Sequence, residues 1–398
     1  MQQSVENKNG FAFWNVFRRE IREISVNKAI YSLSILFPIF LFTLLCLIYK
    51  DGVVKEIPVV ICDRDHSSLS DAYCQLIESD GSMKITKYVA SYNEIEEAFK
   101  NGGIYAGIYI PDNFESDIKK GISTSVIIYN NSLNIITNNT ILKSGKTFTK
   151  NFSGAILLKK LRSKGVPEDA AMNVINKITV DTQSLYNPNY NYLDYLIPGL
   201  LPSMLQMIIM VVAVTLFSSE FAHDTFKELL EVSHYKFGAL IFGKSLPHII
   251  LHTITAIGIL SILFPVFGIS GEGSLLLSIT AYFIFVCASF FMGLAISVLV
   301  HDQYMSTEIV LFLNTPAFIF SGFIFPSWAM PAAYSTFANV LPVTHFINAF
   351  IKLYFMNTNL QSASTELRNL LLFSIFSLMI IIPTVFHMIR KSNRKISR

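Results

Sequence analysis

Charge is scarce in this chain. Asp, Glu, Lys and Arg make up 15% of its 398 residues, against roughly 25% in an ordinary soluble domain. The few charges nearly cancel, at a formal net of +3, and no dense basic run or aromatic-basic ladder breaks that balance, so no nucleic-acid partner is expected. Catalytic signatures are missing as well. There is no G-x-S-x-G nucleophile elbow, no zinc-ligand cluster and no LSGGQ-like ATPase signature, so nothing points to self-contained catalysis. Internal repeats and low-complexity tracts are absent.

What is abundant is apolar sequence, at 52% of residues. Six uncharged stretches are long enough to approach or exceed a bilayer crossing of about 20 residues. They cover 29–49, 195–219, 245–271, 274–300, 309–325 and 370–389. The first is not a cleavable signal peptide: residues of both charge signs precede it, it is too long for an apolar signal core, and no A-x-A site follows. Lys8, Arg18, Arg19, Arg22 and Lys28 lie before the first stretch, and Arg390, Lys391, Arg394, Lys395 and Arg398 after the last. The positive-inside rule then places both termini in the cytoplasm, as an even number of spans requires. The loop at 301–308 carries no Lys or Arg and adds nothing to that assignment.

A polar segment, 50–190, separates the first two stretches and falls outside the cytoplasm on this topology. IPVVIC (57–62), MKITKYV (83–89), YAGIYI (105–110) and TSVIIYN (124–130) read as strands between turn residues. Ser91 and Glu94 have capping-box spacing, Pro111 opens a second helix and Gly121 closes it. A helical pattern follows from Leu133 to Lys164. Alternating strands and helices predict a small mixed α/β sheet. Cys62 and Cys74 lie in this segment, while Cys46 and Cys287 lie in apolar stretches. A Cys62–Cys74 disulfide would suit an outer compartment, but Cys62 ends an apolar strand, where a buried free thiol is the favoured reading.

Two motifs resemble phosphate chemistry. GALIFGKS (238–245) fits G-x-x-x-x-G-K-[ST] at every fixed position. A P-loop needs a strand before the glycine loop and a helix after it. Here an amphipathic helical run, FKELLEVSHYKF, precedes, with Phe226, Leu229 and Leu230 on one side and Asp224, Glu228 and Glu231 on the other. An apolar span follows. Lys244 is therefore expected at the cytoplasmic mouth of that span, and Gly238 at the break after the preceding helix. VVICDRDHSS places Asp63 and Asp65 at a strand end, as in aspartate-nucleophile phosphatases, but turn formation, with Ser67 or Ser68 capping the next helix, explains them more simply. His248 and His252, four residues apart, share a helix face. They are the possible intramembrane polar site, read as hydrogen-bonding groups rather than metal ligands, because no third ligand is evident.

Several segments together resemble the ABC-2-type transporter permeases, specifically the bacterial subgroup with a large outer domain between the first two spans. RREIREISVNKAIYSLSILFP resembles that family's opening segment, with Pro38 in the first span. VVICDRDHSSLS and EAFKNGGIYAGIYIPDNFESDI resemble its outer domain. SLYNPNYNYLDYLIPGLL resembles its approach to the second span, at Tyr186, Asn187, Pro188, Pro198 and Gly199. FIFPSWAMPAAYSTFANVLPVTHFINAFIKLYF resembles its outer segment before the last span, with Pro326, Met330, Pro331, Leu341 and Pro342. EFAHDTFKELL resembles its cytoplasmic coupling helix, usually E-R/K-E-x-G-T-x-E-x-L; the basic residue after the first acid is missing and Asp224 stands where glycine is usual.

The resemblance implies a polytopic α-helical membrane protein of six transmembrane helices, N-in and C-in, with an inserted α/β extracytoplasmic domain. Its parts are a cytoplasmic or interfacial amphipathic helix at 1–28, a first span at 29–49, the outer domain at 50–190, five further helices at 191–389 and a basic tail at 390–398. Within 191–389 lie the coupling helix, 220–236, and an outer re-entrant or interfacial segment, 326–368. The implied function is the permease subunit of an exporter for a hydrophobic or amphipathic substrate. It binds no cofactor itself; ATP and Mg belong to a separate ATP-binding subunit. Glu220, Thr225, Phe226, Glu228, Leu229 and Leu230 would form the ATPase-coupling interface. Phe13, Trp14, Phe17, Arg18 and Arg22 would mark the interfacial helix, with Ile21 completing its apolar stripe. Further partners implied are a second permease copy or paralogue, a periplasmic adaptor and the lipid bilayer of the bacterial inner membrane. The rival readings are a polytopic receptor with an extracytoplasmic ligand-binding domain, and a proton-coupled transporter using His248 and His252.

Overall fold

The computed structural model describes residues 2–175, 185–187 and 191–396, with side chains for 12–175, 185–187 and 191–392. Pro188 and the side chains of Lys8, Phe11, Arg394, Lys395 and Arg398 lie outside the described residues. The chain divides into two compact units, Met1–Gly52 with Ser184–Arg398, and Val53–Gln183.

The first unit opens with α1, Gln2–Val26. Its buried face carries Ala12, Val16 and Glu20, spaced four apart. Asn27 stops α1 and caps the next helix, its side chain accepting from the N–H groups of Ala29 and Ile30. That helix, α2, Lys28–Tyr49, is long and apolar enough to cross a membrane. A π-helical turn at Ser32–Leu36 interrupts it, and the Ser34 carbonyl there accepts a hydrogen bond from the Thr255 hydroxyl at 3.1 Å.

The second unit is the α/β segment. Its elements are β1 Ile57–Asp63, α3 Ser68–Ser79, β2 Met83–Tyr88, α4 Tyr92–Asn101, β3 Ala106–Ile110, α5 Phe114–Lys120, β4 Ile127–Asn130, α6 Ile135–Ser163 and α7 Glu168–Ile175. The sheet order is β2-β1-β3-β4, parallel except for β4. Ser67 caps α3 in a capping box with Ser70, Ser91 caps α4, and Gly121 closes α5 at φ 80°, where glycine carries no Cβ penalty. Alternation along β1 sends Ile57, Val59 and Ile61 into one core with Tyr73, Cys74 and Phe114. Val60 and Cys62 enter another with Ile95. Cys62 and Cys74 are thus buried free thiols on different sides of the strand, and the disulfide is not formed.

The chain then returns through α8, Tyr192–Ala222, with Asn191 as its cap and Pro198 and Pro202 inside it. Pro198 and Gly199 stand in the opening turns of this helix. There follow α9 Phe226–Val232, α10 Phe237–Val266, α11 Leu275–Leu299, α12 Gln303–Asn314, α13 Ala317–Phe320, α14 Ala332–Asn339, α15 Pro342–Phe350 and α16 Ser364–Ile396. Further π-helical turns occur at Ile259–Leu263, within α10, and at Ile351–Phe355, after α15.

Five helices among the described residues are long and apolar enough to span: α2, α8, α10, α11 and α16. The expected span at 309–325 is not one continuous helix. α12 stops at Asn314, Pro316 cannot supply the next N–H, α13 lasts four residues, and Gly322 turns the chain at φ 83°. Asn314 is tied down instead, donating to the Val310 carbonyl and accepting from Gln206 Nε2, each at 2.8 Å. Gln206 Oε1 in turn accepts from the Val343 N–H at 2.7 Å, so the break, α8 and α15 share one buried polar bridge. The expected outer segment, 326–368, ends earlier, since α16 already begins at Ser364. Its α15 is buried, with Phe346 stacked on Phe285 and Phe350.

Candidate functional site

GALIFGKS does not form a loop. All eight residues lie in α10, so the backbone does not curl around a phosphate as a P-loop does. The break expected at Gly238 falls earlier, at Ser233–Lys236, where His234 and Tyr235 take left-handed backbone conformations. Gly243 has a packing role. A Cβ on it would stand 3.0 Å from the Val16 Cβ and 3.1 Å from the Phe13 carbonyl, so its bare face lets α1 lie close against α10.

That approach places Lys244, expected at the mouth of the span, in a charge cluster. Its Nζ donates to Glu20 Oε2 on α1 and to Glu220 Oε1 at the end of α8, both at 2.8 Å. Arg19 grips Glu220 with both nitrogens, Nη1 at 2.7 Å and Nη2 at 3.2 Å. The Thr225 hydroxyl donates to Glu220 Oε2 at 2.5 Å. The His248 Nε2 donates to Glu20 Oε1 at 2.9 Å, its ring stacked on Phe290. Lys244 and Glu20 are only 4% exposed and Glu220 is buried alongside them, while Arg19 reaches the surface. Two carboxylates facing two permanent cations leave no net charge, the condition under which such burial is tolerable. Burial alone would push the Glu20 carboxyl up, but the Lys244 ammonium and His248 overcome it and hold it down at about 2.

The linker α9 hangs from this cluster. Leu229 and Leu230 are fully buried, and Phe226 packs on Phe217 and Phe221. Glu228 and Glu231 face outward with Lys227. Asp224, which stands where the family pattern has glycine, takes φ 57°. That left-handed turn explains the glycine preference, and Asp is among the few side chains that tolerate it. Of the expected coupling residues, then, Glu220, Leu229 and Leu230 point inward, Thr225 and Phe226 are half-buried, and Glu228 is exposed.

On α1 the rings of Phe13, Trp14 and Phe17 stack together, and the Arg18 guanidinium lies 5.6 Å from the Trp14 ring centre. Trp14 and Ile21 are each 47% exposed. His248 and His252 do share a buried face of α10, but only His248 joins the charge cluster. Among the described residues, no group of three His, Cys, Asp or Glu side chains is placed to hold a metal ion. Glu20 is the residue the sequence did not flag, and Arg19 and Lys244 stood out only as positive charges beside spans, not as members of this cluster. The available signal was the four-residue spacing of Lys244, His248 and His252, a polar stripe on an otherwise apolar helix.

The chain is 22% identical over 351 residues to the probable multidrug ABC transporter permease YbhR of Escherichia coli (strain K12), covering 87% of this chain and 91% of the relative. It is 24% identical over 190 residues to the probable multidrug ABC transporter permease YbhS of the same organism, covering 47% and 50%. It is 24% identical over 341 residues to ABC transporter G family member 20 of Dictyostelium discoideum, covering 83% of this chain and 44% of that protein, so it spans less than half the length of this relative. Residues 28–382 match the ABC-2 family transporter protein profile. With its long apolar helices, the chain is a multi-pass membrane protein and belongs to the ABC-2 transporter family.

Proposed function

We propose that the chain is the permease half of an exporter driven by ATP bound to a separate subunit. The observation that carries this reading is the construction of α9. It is a two-turn helix between two long apolar helices, anchored inward by Leu229, Leu230 and the Glu220 cluster, while Lys227, Glu228 and Glu231 stay exposed. A rigid lever with a polar outer face suits docking by a soluble partner, and its tie to α1, α8 and α10 passes the partner's movement into the spans. In this reading both termini and α9 are cytoplasmic, α12 and α13 together complete a sixth, broken crossing, and the unit at 53–183 lies outside, where it gates exit or meets an adaptor. Two copies or paralogues pair around the path. Two bacterial relatives are named as probable multidrug permeases, and cargo of that kind, hydrophobic or amphipathic, is the reading carried over to this chain.

The test uses the outward face of α9. Glu220→Lys or Leu230→Asp would disturb buried groups and confound docking with folding. Glu228→Lys combined with Glu231→Lys changes only exposed side chains. Co-purified with its ATP-binding subunit, this variant should recover at least tenfold less of that subunit, with an unchanged elution profile in detergent. Undiminished recovery would overturn the docking role.

A further inference from the structure

A cleft of 480 Å³ opens between α1 and the end of α9, lined by Asn15, Arg18, Arg19, Arg22, Val232 and His234. The α1 residues sit at 15, 18, 19 and 22, one continuous stripe of a helix. Three arginines line one cavity, and no Asp or Glu is among its lining residues. Arg19 is committed to Glu220 and Arg18 overlies Trp14. Arg22 is exposed and forms no ion pair among the described residues. The opposite wall depends on a strained turn: His234 and Tyr235 are consecutive non-glycine residues at φ 50° and 56°. Such conformations persist only where the surroundings hold them. Here the Ser233 hydroxyl bonds the Leu230 carbonyl at 2.9 Å and the Tyr235 N–H bonds the same carbonyl at 2.9 Å.

We infer that this cleft binds the phosphate of an anionic phospholipid, the acyl chains lying along the exposed apolar side chains of α1. The inference rests on the reading that puts α1 at the inner face of the membrane. Guanidinium forks match phosphate oxygens in geometry and charge. An acidic peptide would satisfy the arginines equally, but it would leave Trp14, Ile21 and Val26 in water; their exposures are 47%, 47% and 72%. A lipid covers both features, since Trp and long apolar side chains favour the interfacial layer. Bound there, the headgroup bridges α1 to the turn after α9, so lipid composition sets how firmly the linker is held.

The test is native mass spectrometry of the full chain released from nanodiscs of phosphatidylcholine with phosphatidylglycerol. The wild type should retain phosphatidylglycerol at least tenfold over phosphatidylcholine, and Arg18→Gln with Arg22→Gln should remove that preference without shifting the melting temperature. Competition by millimolar glycerol 1-phosphate would show that the phosphate is read directly. No competition, with retention still dependent on Arg18 and Arg22, would show that the acyl chains are required as well. Equal retention of both lipids, or retention unaffected by the two substitutions, would overturn the proposal. So would loss of the ATP-binding subunit from the double variant with phosphatidylglycerol retention intact, which would make the cleft a protein-docking site. Orientation is read separately, by labelling Ser25→Cys with a membrane-impermeant maleimide. Labelling from outside intact cells would overturn the inner-face assignment and leave the lipid retention standing.

Discussion

Asp63 in the α/β unit and Glu220 in the membrane unit are both nearly buried carboxylates, at 7% and 4% exposure, yet they are satisfied by different means. Asp63 accepts from the N–H groups of Asp65 at 2.9 Å and His66 at 3.2 Å and from the Ser70 hydroxyl at 2.6 Å. All its donors are neutral and lie within seven residues. Glu220 takes two cations from other helices, Arg19 from 201 residues away and Lys244 from 24. The first arrangement shapes a turn and survives as a local motif. The second is a weld between helices, and it fails as a whole if one charge is withdrawn.

Substitutions should separate the two. The largest effect belongs to Lys244→Met, which leaves buried Glu20 with His248 alone and Glu220 with Arg19 and Thr225 and should cost about 3–5 kcal/mol, read as loss of hydrogen-exchange protection in α1 and α10. Asp63→Ala removes three hydrogen bonds among neutral donors and should cost about 1–3 kcal/mol, with lost protection confined to β1 and α3. A larger loss for Asp63→Ala than for Lys244→Met would break the comparison. Next comes Gly243→Leu, which wedges α1 away from α10 at about 1–3 kcal/mol and should expose Glu20 without touching any charged group. If α1 protection is unchanged, close helix approach is not what seats Lys244.

The smallest effect is that of acid. The Glu20 carboxyl is held at about 2, against an ordinary value of 4.5. Its stabilisation is therefore complete above pH 4.5 and is lost as pH falls toward 2. Trp14 fluorescence in a Trp328→Phe background should be flat from pH 7 to 5 and change below 4.5. Glu20→Gln should weaken that acid limb, with Glu220 in the same cluster supplying the remainder. A transition centred near pH 6 would assign the sensitivity to a histidine instead.

The same contrast explains how much could be read from the sequence. Strands β1 to β4, the Ser67 and Ser91 caps, the Gly121 stop and the two-sided character of α9 were all legible, because each is written in residues two to four apart. Burial of Cys62 followed from its place at the end of an apolar strand. Glu20–Lys244 and Arg19–Glu220 were not legible, being separated by 224 and 201 residues. Periodicity places Lys244 and Glu20 on helix faces, but only packing decides that those faces meet. GKS, set aside as a phosphate loop from the sequence alone, has a role that was hidden for a related reason: its glycine and lysine answer to α1, a helix more than two hundred residues upstream. Pro316 sits inside the expected span 309–325, yet neither the interruption there nor its pinning by Gln206 and Asn314 was read from the sequence.

The π-helical turn at Ser32–Leu36 reaches beyond its five residues. One added residue in a turn rotates everything after it by about 100°. The two lengths of α2 on either side are therefore like a screw cut and rejoined a little over a quarter-turn out of phase. A face traced down the sequence at a single 3.6-residue pitch changes bearing at Ser32, so neighbours that meet the start of α2 and those that meet its end are chosen by two different alignments of the same sequence. The same offset recurs at Ile259–Leu263 in α10, downstream of Lys244 and His248, which leaves the charged end of that helix and its far end free to match different neighbours.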